Sequence, residues 1–333
     1  MTLPPMTLAA DGEIAAPKLT QFLADQAGED AGKQALAGVI RTFARAAIPL
    51  AARLGQGRLP GDPTAIVGTN ESGDKQKALD MAAHDYLIEA LREVSVARVL
   101  SEESEEVIAL DPEGLFDVAM DPIDGSGSIG IGAPLGALFC VFPAGESFLR
   151  PGREVIAAGY GSFGHSVDMG FSMGQGVAIA TLDQASGQFY VDDQGVSIKE
   201  ETSVVAFNAS NIRRWTPPLQ YYAEDLLRGP EGARGREFNM RWIAAAVGDV
   251  HRVLRSGGMF LYPADRRPGY EEGYLRLAYE AFPIAYLMEQ AGGAASDGFT
   301  PILDLVPGHL HDRVPLFFGS KDEVAALEGY LSK

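Results

Sequence analysis

The chain is poor in cysteine. Cys140 is the single one among 333 residues, so no internal disulfide can form, and a reducing compartment such as the cytoplasm fits. It sits in the apolar run Ala137-Leu138-Phe139-Cys140-Val141-Phe142, which reads as a buried small hydrophobe and not as a nucleophile. Positive charge is scarce as well. Twenty-seven basic residues face 45 acidic ones, a net charge of −18. That balance argues against nucleic acid and against an anionic membrane as partners. No apolar stretch reads as a span of the ~20 residues that a membrane needs. No basic n-region followed by an apolar h-region opens the chain. The histidines, His84, His165, His251, His309 and His311, show no pairing with a Ser or Cys nucleophile. What is left is globular composition, 46% hydrophobic and 22% charged, in a chain long enough for one large domain or two ordinary ones.

Hydrophobic periodicity places the elements. Residues 1–17 read as a loose tail. Leu19, Phe22 and Leu23, then Leu36, Val39, Ile40, Phe43 and Ala47, predict helix over 18–55. The Gly/Pro/Asn-rich residues 56–73 predict a mobile loop, and 75–95 predict helix again. Val96–Leu100 and Leu115–Met120 read as strands, residues 133–205 as a β-meander. Beyond 206 the pattern alternates: helix 239–256, strand 259–262, helix 276–291, strand 314–318 and helix 321–331. The expected class is α/β with mixed α and β content, split into a tail 1–17, an N-terminal domain 18–205 and a C-terminal domain 206–333.

What the chain does concentrate is carboxylate. Glu102 and Glu103 follow one predicted strand; Asp121-Pro122-Ile123-Asp124-Gly125-Ser126 follows the next. Strand ends are where α/β proteins commonly place ligands. Gathered carboxylates repel one another, and an all-oxygen set suits a hard cation such as Mg²⁺. Backbone N–H groups of a Gly-Ser turn can hold phosphate beside it. Glu280 stands among Leu277, Ala278, Tyr279, Ala281 and Phe282, a costly place for a charge without a partner. Between residues 206 and 280 lie 11 arginines, no lysine and nine acids, which reads either as an ordinary surface with i,i+4 pairs or as an anion-binding half facing a metal-binding half. The stretch Gly125-Ser126-Gly127-Ser128-Ile129-Gly130 matches a dinucleotide fingerprint in letters, but its continuation reads as turn and strand, not helix. It fails as a calcium loop too, because Ile123, Gly125 and Gly132 occupy ligand positions.

These residues resemble the class I fructose-1,6-bisphosphatases. The Asp121–Ser126 run is similar to the metal signature that family shares with inositol monophosphatases. Phe238–Ile243, Asp249-Val250-His251-Arg252, Gly257–Pro263 and Leu275–Glu280 resemble the sugar-bisphosphatase pattern. The resemblance covers roughly residues 18 to 330. It implies the five-layer αβαβα sugar-phosphatase fold and hydrolysis of the 1-phosphate of fructose 1,6-bisphosphate, in gluconeogenesis or the Calvin cycle. It implies two or more Mg²⁺ per subunit, with Mn²⁺ as a substitute, held by Glu102, Asp121, Asp124, Glu280 and the Ile123 carbonyl. Glu103 and Asp80 would polarise the attacking water, and Asp74 would steady loop 56–73. Gly125, Ser126 and Gly127 would cradle the 1-phosphate. Asn208, Asn211, Tyr262, Tyr274 and Arg276 would line the sugar and 6-phosphate pocket, with Arg241 reaching across to a neighbour's 6-phosphate in a homotetramer, or at least a dimer. Departures are visible. Tyr274 stands where the family usually has lysine, and Gly127-Ser128-Ile129-Gly130 replaces its Ser-Asn-Ile-Asp. Leu115, Phe116 and Pro143 stand where AMP-inhibited members carry Lys, Tyr and Arg. Sedoheptulose 1,7-bisphosphate is the alternative substrate; a weakly active phosphosugar-binding paralogue is the alternative class.

Overall fold

The computed structural model describes residues 6, 8, 12–69 and 75–333. In chain order its helices and strands are α1 Leu19–Ala27, α2 Ala31–Gly55, β1 Ile66–Thr69, β2 Lys75–Lys77, α3 Ala78–Leu91, β3 Val96–Ser101, β4 Ile108–Ala109, β5 Phe116–Asp124, β6 Leu135–Pro143, β7 Ala157–Phe163, β8 Val167–Ser172, β9 Val177–Asp183 and β10 Gln188–Val196. Then follow β11 Val204–Ala206, α4 Pro217–Leu227, β12 Asn239–Met240, α5 Ala246–Ser256, β13 Met259–Tyr262, β14 Leu275–Arg276, α6 Phe282–Gln290, β15 Ala294–Ser296, β16 Arg313–Val314, β17 Leu316–Gly319 and α7 Lys321–Leu331.

Two sheets organise these elements. The larger has the order β10-β9-β8-β7-β6-β5-β3-β4, and the smaller β12-β11-β13-β17-β15. β5 through β10 form the meander that the alternating pattern predicts, each strand antiparallel to the next; β3 joins β5 in parallel. Helices α1, α2 and α3 cover one face of the large sheet, and α5 and α6 cover the other. α6 also packs on the small sheet, whose far side carries α7 backed by α4. The stack is therefore αβαβα, and each helix buries one apolar stripe against a sheet. Phe43 of α2 stacks on Phe139 of β6 at 3.7 Å between ring centroids. Phe282 of α6 meets Phe142 edge-on from the opposite side.

Several boundaries differ from the periodicity reading, and the strand expected over 314–318 is divided between β16 and β17. The helix expected over 18–55 is two helices. Gly28 breaks it at φ +58°, and the Asp30 carboxylate restarts it by accepting from the Lys33 N–H at 2.9 Å. Within the span read as loop 56–73, residues 66–69 form β1, paired with β2. The helix expected from 75 begins at Ala78. The helix expected over 239–256 begins at Ala246, because Asn239 and Met240 pair with β11 instead. The helix expected over 276–291 opens as β14, passes through one π-turn over Leu277–Ala281, and becomes α-helical at Phe282. α2 corrects a further expectation, because at 25 residues it is long and apolar enough for a membrane span. Most of its apolar stretch is buried inside the protein, against α3 and the large sheet, which is the behaviour of a core helix.

Candidate active site

Period-two alternation would point Asp121 and Asp124 to opposite faces of β5. They share one face because the ladder slips between them: Asp121 opposes Leu138 while Asp124 opposes Gly136. That bulge puts one extra residue in β5 and re-aims the second carboxylate. The Asp121 carboxylate also accepts from the Ile123 N–H at 2.8 Å, tightening the bulge. Glu280 arrives from the π-turn, a distortion that often marks functional sites, and the Arg276 N–H donates to it at 2.5 Å. Asp121, Asp124 and Glu280 are all buried, and their ligating oxygens lie within 4.8 Å of one another. Glu102, at the end of β3, hydrogen-bonds Asp121.

Burial dominates the titration of this group. It pushes Glu102 up to about 7 and Asp124 up to about 6. Asp121 and Glu280 are driven well above the ordinary carboxylate range, first by burial and then by the other carboxylates' charge. Four clustered acids held this way discharge their repulsion either by taking up protons or by binding a cation. The all-oxygen donor set fits a hard divalent ion.

A second acidic pair stands beside the first. Asp80, in the first turn of α3, is buried and pushed up to about 7, by burial first and the Glu103 charge second. One of its oxygens accepts from the Lys77 N–H at 3.2 Å. The other, Oδ1, is buried with no hydrogen-bond partner among the described residues. Glu103 accepts from the Gln76 amide at 2.8 Å. Asp74 lies outside the described residues.

The Gly-Ser turn is a single 3₁₀ turn, Ser126–Ser128, running on toward β6 and not into a helix, as its residues predict. Gly125 sits at φ +80°, and a Cβ there would lie 2.5 Å from the Ala245 side chain; only glycine fits. The turn's own bonds use the N–H groups of Ser128 and Ile129. Lys77 caps it from below, donating to the Ser126 carbonyl at 2.5 Å.

A cavity of about 300 Å³ joins these pieces. Glu102, Asp121, Ile123, Asp124 and Glu280 form one end, and the 125–127 turn the rim. Asn208, Asn211, Tyr262 and Tyr274 line part of the remainder. Arg276 and Arg241 do not line this cavity. The Arg276 side chain is buried, donates to the His311 carbonyl at 3.4 Å and counters the Glu102 and Glu280 charges; it lies behind the carboxylates and does not line the cavity. Arg241 is exposed and outside this chain's cavity wall. A cavity of equal volume flanks the end of α2, beside Leu54, Arg58, Ile129 and Phe163, but no carboxylate lines it.

Several lining residues escaped the sequence reading: Trp242, Ala244, Arg267 and Tyr270. Arg267 is one of the 11 arginines already noted in its segment, so its charge was visible but not its direction. Ala244 had no signal. It is the one non-glycine residue at positive φ, +76°, among those described. The strain is held by Asp249, which is fully buried, accepts from the Ile243 N–H at 3.1 Å and pairs with Arg252. The Val247 N–H, in the first turn of α5, then donates to Asp124 at 2.6 Å. At the positions of the AMP-type cations, Leu115 is exposed, while Phe116 pairs with Pro143 across β5 and β6. The neighbouring Arg98 and Arg150 are both clamped by buried Asp117 at 2.7 Å.

Five αβαβα layers with buried carboxylates at a bulged strand end define the sugar-phosphatase class. Comparison with known proteins narrows it. Residues 18–194 match the profile "Fructose-1-6-bisphosphatase, N-terminal domain", and 198–332 match "Fructose-1-6-bisphosphatase, C-terminal domain". The chain is 48% identical over 332 residues to the class 1 fructose-1,6-bisphosphatase of Brucella suis, covering 99% of this chain and 98% of that one. The class 1 protein of Brucella anthropi is similar to the same extent. The holo-form crystal structure of Leishmania major fructose-1,6-bisphosphatase superposes with a TM-score of 0.88 at 27% identity, over 96% of this chain and 100% of that one. The chain belongs to the class 1 fructose-1,6-bisphosphatase family.

Proposed function

We propose that this protein hydrolyses the 1-phosphate of fructose 1,6-bisphosphate to fructose 6-phosphate and inorganic phosphate. The observation that carries the reading is the trio of buried carboxylates within 4.8 Å at one end of a sugar-sized cavity, in a chain matched end to end by that family. Glu102, Asp121, Asp124, Glu280 and the Ile123 carbonyl would hold Mg²⁺, two or more ions, with Mn²⁺ able to replace it. A bound divalent cation supplies neutralisation of the phosphoryl oxygens and acidifies nearby water.

The chain's own groups do the rest. Asp80 titrates near 7, so it can take a proton from the attacking water and release it again near neutral pH. Glu103 shares that task and reinforces it through its charge. Gly125, Ser126 and Gly127 orient the 1-phosphate through backbone N–H groups. Asn208, Asn211, Tyr262 and Tyr274 hold the sugar, and Arg276 balances the carboxylates from behind. Arg241, exposed and not lining its own chain's cavity, serves a neighbouring subunit in a homotetramer whose minimum unit is a dimer. The metal-bearing half is 18–205 and the sugar half 206–333. A cytoplasmic location accords with the single, buried Cys140. The test is phosphate release from fructose 1,6-bisphosphate, sedoheptulose 1,7-bisphosphate and inositol 1-phosphate, each with Mg²⁺ and with chelator. Mg²⁺-dependent release greatest from the first substrate supports the reading; no release from it with Mg²⁺ present overturns it.

A further inference from the structure

The cavity has a marked polarity. Carboxylates crowd one end, yet a bisphosphate brings two dianions, and the protein around them carries a net charge of −18. The phosphate that reacts goes to the carboxylate end, where cations collect. The other must meet a cation of the protein itself. Among the described residues that line the cavity, Arg267 alone is cationic.

Its setting is built. Asp265, whose side chain is 1% exposed, accepts from Arg267 Nε at 2.9 Å and pairs with Nη2 at 2.6 Å. The Arg267 backbone N–H donates to the same carboxylate at 2.9 Å. The guanidinium lies 3.7 Å from the Tyr270 ring centroid, and the Tyr262 side chain hydrogen-bonds it. Tyr262, Tyr274 and Tyr270 stack in series, at 5.4 Å and 4.9 Å between centroids. Arg313 ties the turn beneath by donating to the Gly269 carbonyl at 2.5 Å. A guanidinium carries five N–H donors in a fixed fork. Asp265 holds the Nε and Nη2 atoms, so the Nη1 amino group is the end that it does not occupy. Held on one edge by a buried acid and on one face by a ring, the fork loses little freedom when it meets an anion.

We propose that Arg267 is the in-chain receptor of the substrate's second, non-transferred phosphate, with Asp265 and the Tyr262–Tyr274–Tyr270 stack positioning it. The proposal rests on the bisphosphatase reading and deepens it, giving the pocket a cation of its own in addition to any from a neighbour. A single charge-assisted phosphate contact of this kind is worth roughly 10- to 100-fold in affinity.

Arg267→Met and Arg267→Lys would be assayed with fructose 1,6-bisphosphate and with fructose 1-phosphate, which lacks the second phosphate. Fructose 6-phosphate binding would be read by calorimetry. For Arg267→Met the proposal expects a bisphosphate KM higher by about 10- to 100-fold. The bisphosphate-to-monophosphate ratio of kcat/KM should fall by the same factor, and fructose 6-phosphate Kd should rise in step. Arg267→Lys should fall between the two, since an ammonium keeps the charge but loses the fork. An equal loss on both substrates, or an unchanged fructose 6-phosphate Kd, overturns the assignment and leaves Arg267 structural. If Arg267→Met melts well below the parent, Arg267→Lys alone decides by the same ratio. A parent protein that fails to cleave the bisphosphate defeats the functional reading instead, and fructose 6-phosphate calorimetry on the variants still judges Arg267.

Discussion

Asp124→Asn should make the metal-free protein more stable and the loaded enzyme nearly inactive. Asp124 is 4% exposed, and burial, followed by the charge of Asp249, pushes it up to about 6 from 3.8. A carboxyl raised by folding favours the folded state only while it is protonated. That advantage is complete below the unfolded value and is lost as pH rises through the folded one. Across roughly two units, at about 1.4 kcal/mol each, the ionised group costs the metal-free fold about 3 kcal/mol by pH 8. Asparagine removes the charge and keeps a carbonyl oxygen for the Val247 N–H, which now sits 2.6 Å away. In chelator at pH 8 the variant should therefore melt higher, by about 4 °C at ~2.1 cal/mol/K per residue. About half of the gain should remain at pH 5. With Mg²⁺ the order reverses, because the parent gains a bound ion and the variant loses a ligand. Its kcat should drop on the order of a thousandfold, the scale of losing a main electrostatic stabiliser. Calorimetric melts in chelator and in Mg²⁺, beside a phosphate-release assay, read all of this. A variant that melts below the parent at pH 8 in chelator, or that turns over normally, would refute the reasoning.

Glu103→Gln keeps the Gln76 contact within reach and removes basicity. It should cut kcat by roughly 10²–10⁴ with the melting temperature close to that of the parent; an unchanged kcat would show that Glu103 takes no part in activating the water. Arg241→Ala should mainly raise KM, and subunits carrying it, mixed with Asp121→Asn subunits, should regain activity in the hybrids. Hybrids as inactive as both parents would show that Arg241 does not act across an interface. AMP should barely inhibit at saturating Mg²⁺, since Leu115, Phe116 and Pro143 offer no cation and Asp117 already holds Arg98 and Arg150. Losing two charge-assisted contacts weakens binding by roughly 10²–10⁴-fold, and half-inhibition in the micromolar range would contradict it.

Much of this protein was legible before folding. The meander announced itself by alternation between Gly and Asp turns, since a two-residue period survives any tertiary context that buries one face. The acidic signature was legible because carboxylates among apolar residues are costly and therefore rare. The arginine surplus of residues 206–280 was a matter of counting. Tertiary structure decided what depends on partners distant in sequence. A bulge against β6 turned Asp124 to the side of Asp121; Pro122, which cannot donate to the ladder, marks a break in that run, but the pairing with β6 decided which face the second carboxylate took. Asn239 and Met240 left the helix their apolar spacing suggested because β11 offered them a ladder. Asp249 reached back to hold Ala244 at positive φ, fixing a cavity wall that local propensity would not build. Arg276 and Arg267 are the same residue type in the same segment, yet one is buried behind the carboxylates and the other faces the cavity. Composition counts charges and periodicity assigns faces. Which charge meets the substrate is set by the packing of the two sheets about α5 and α6, because only there do residues far apart in the chain share one dielectric and one cavity.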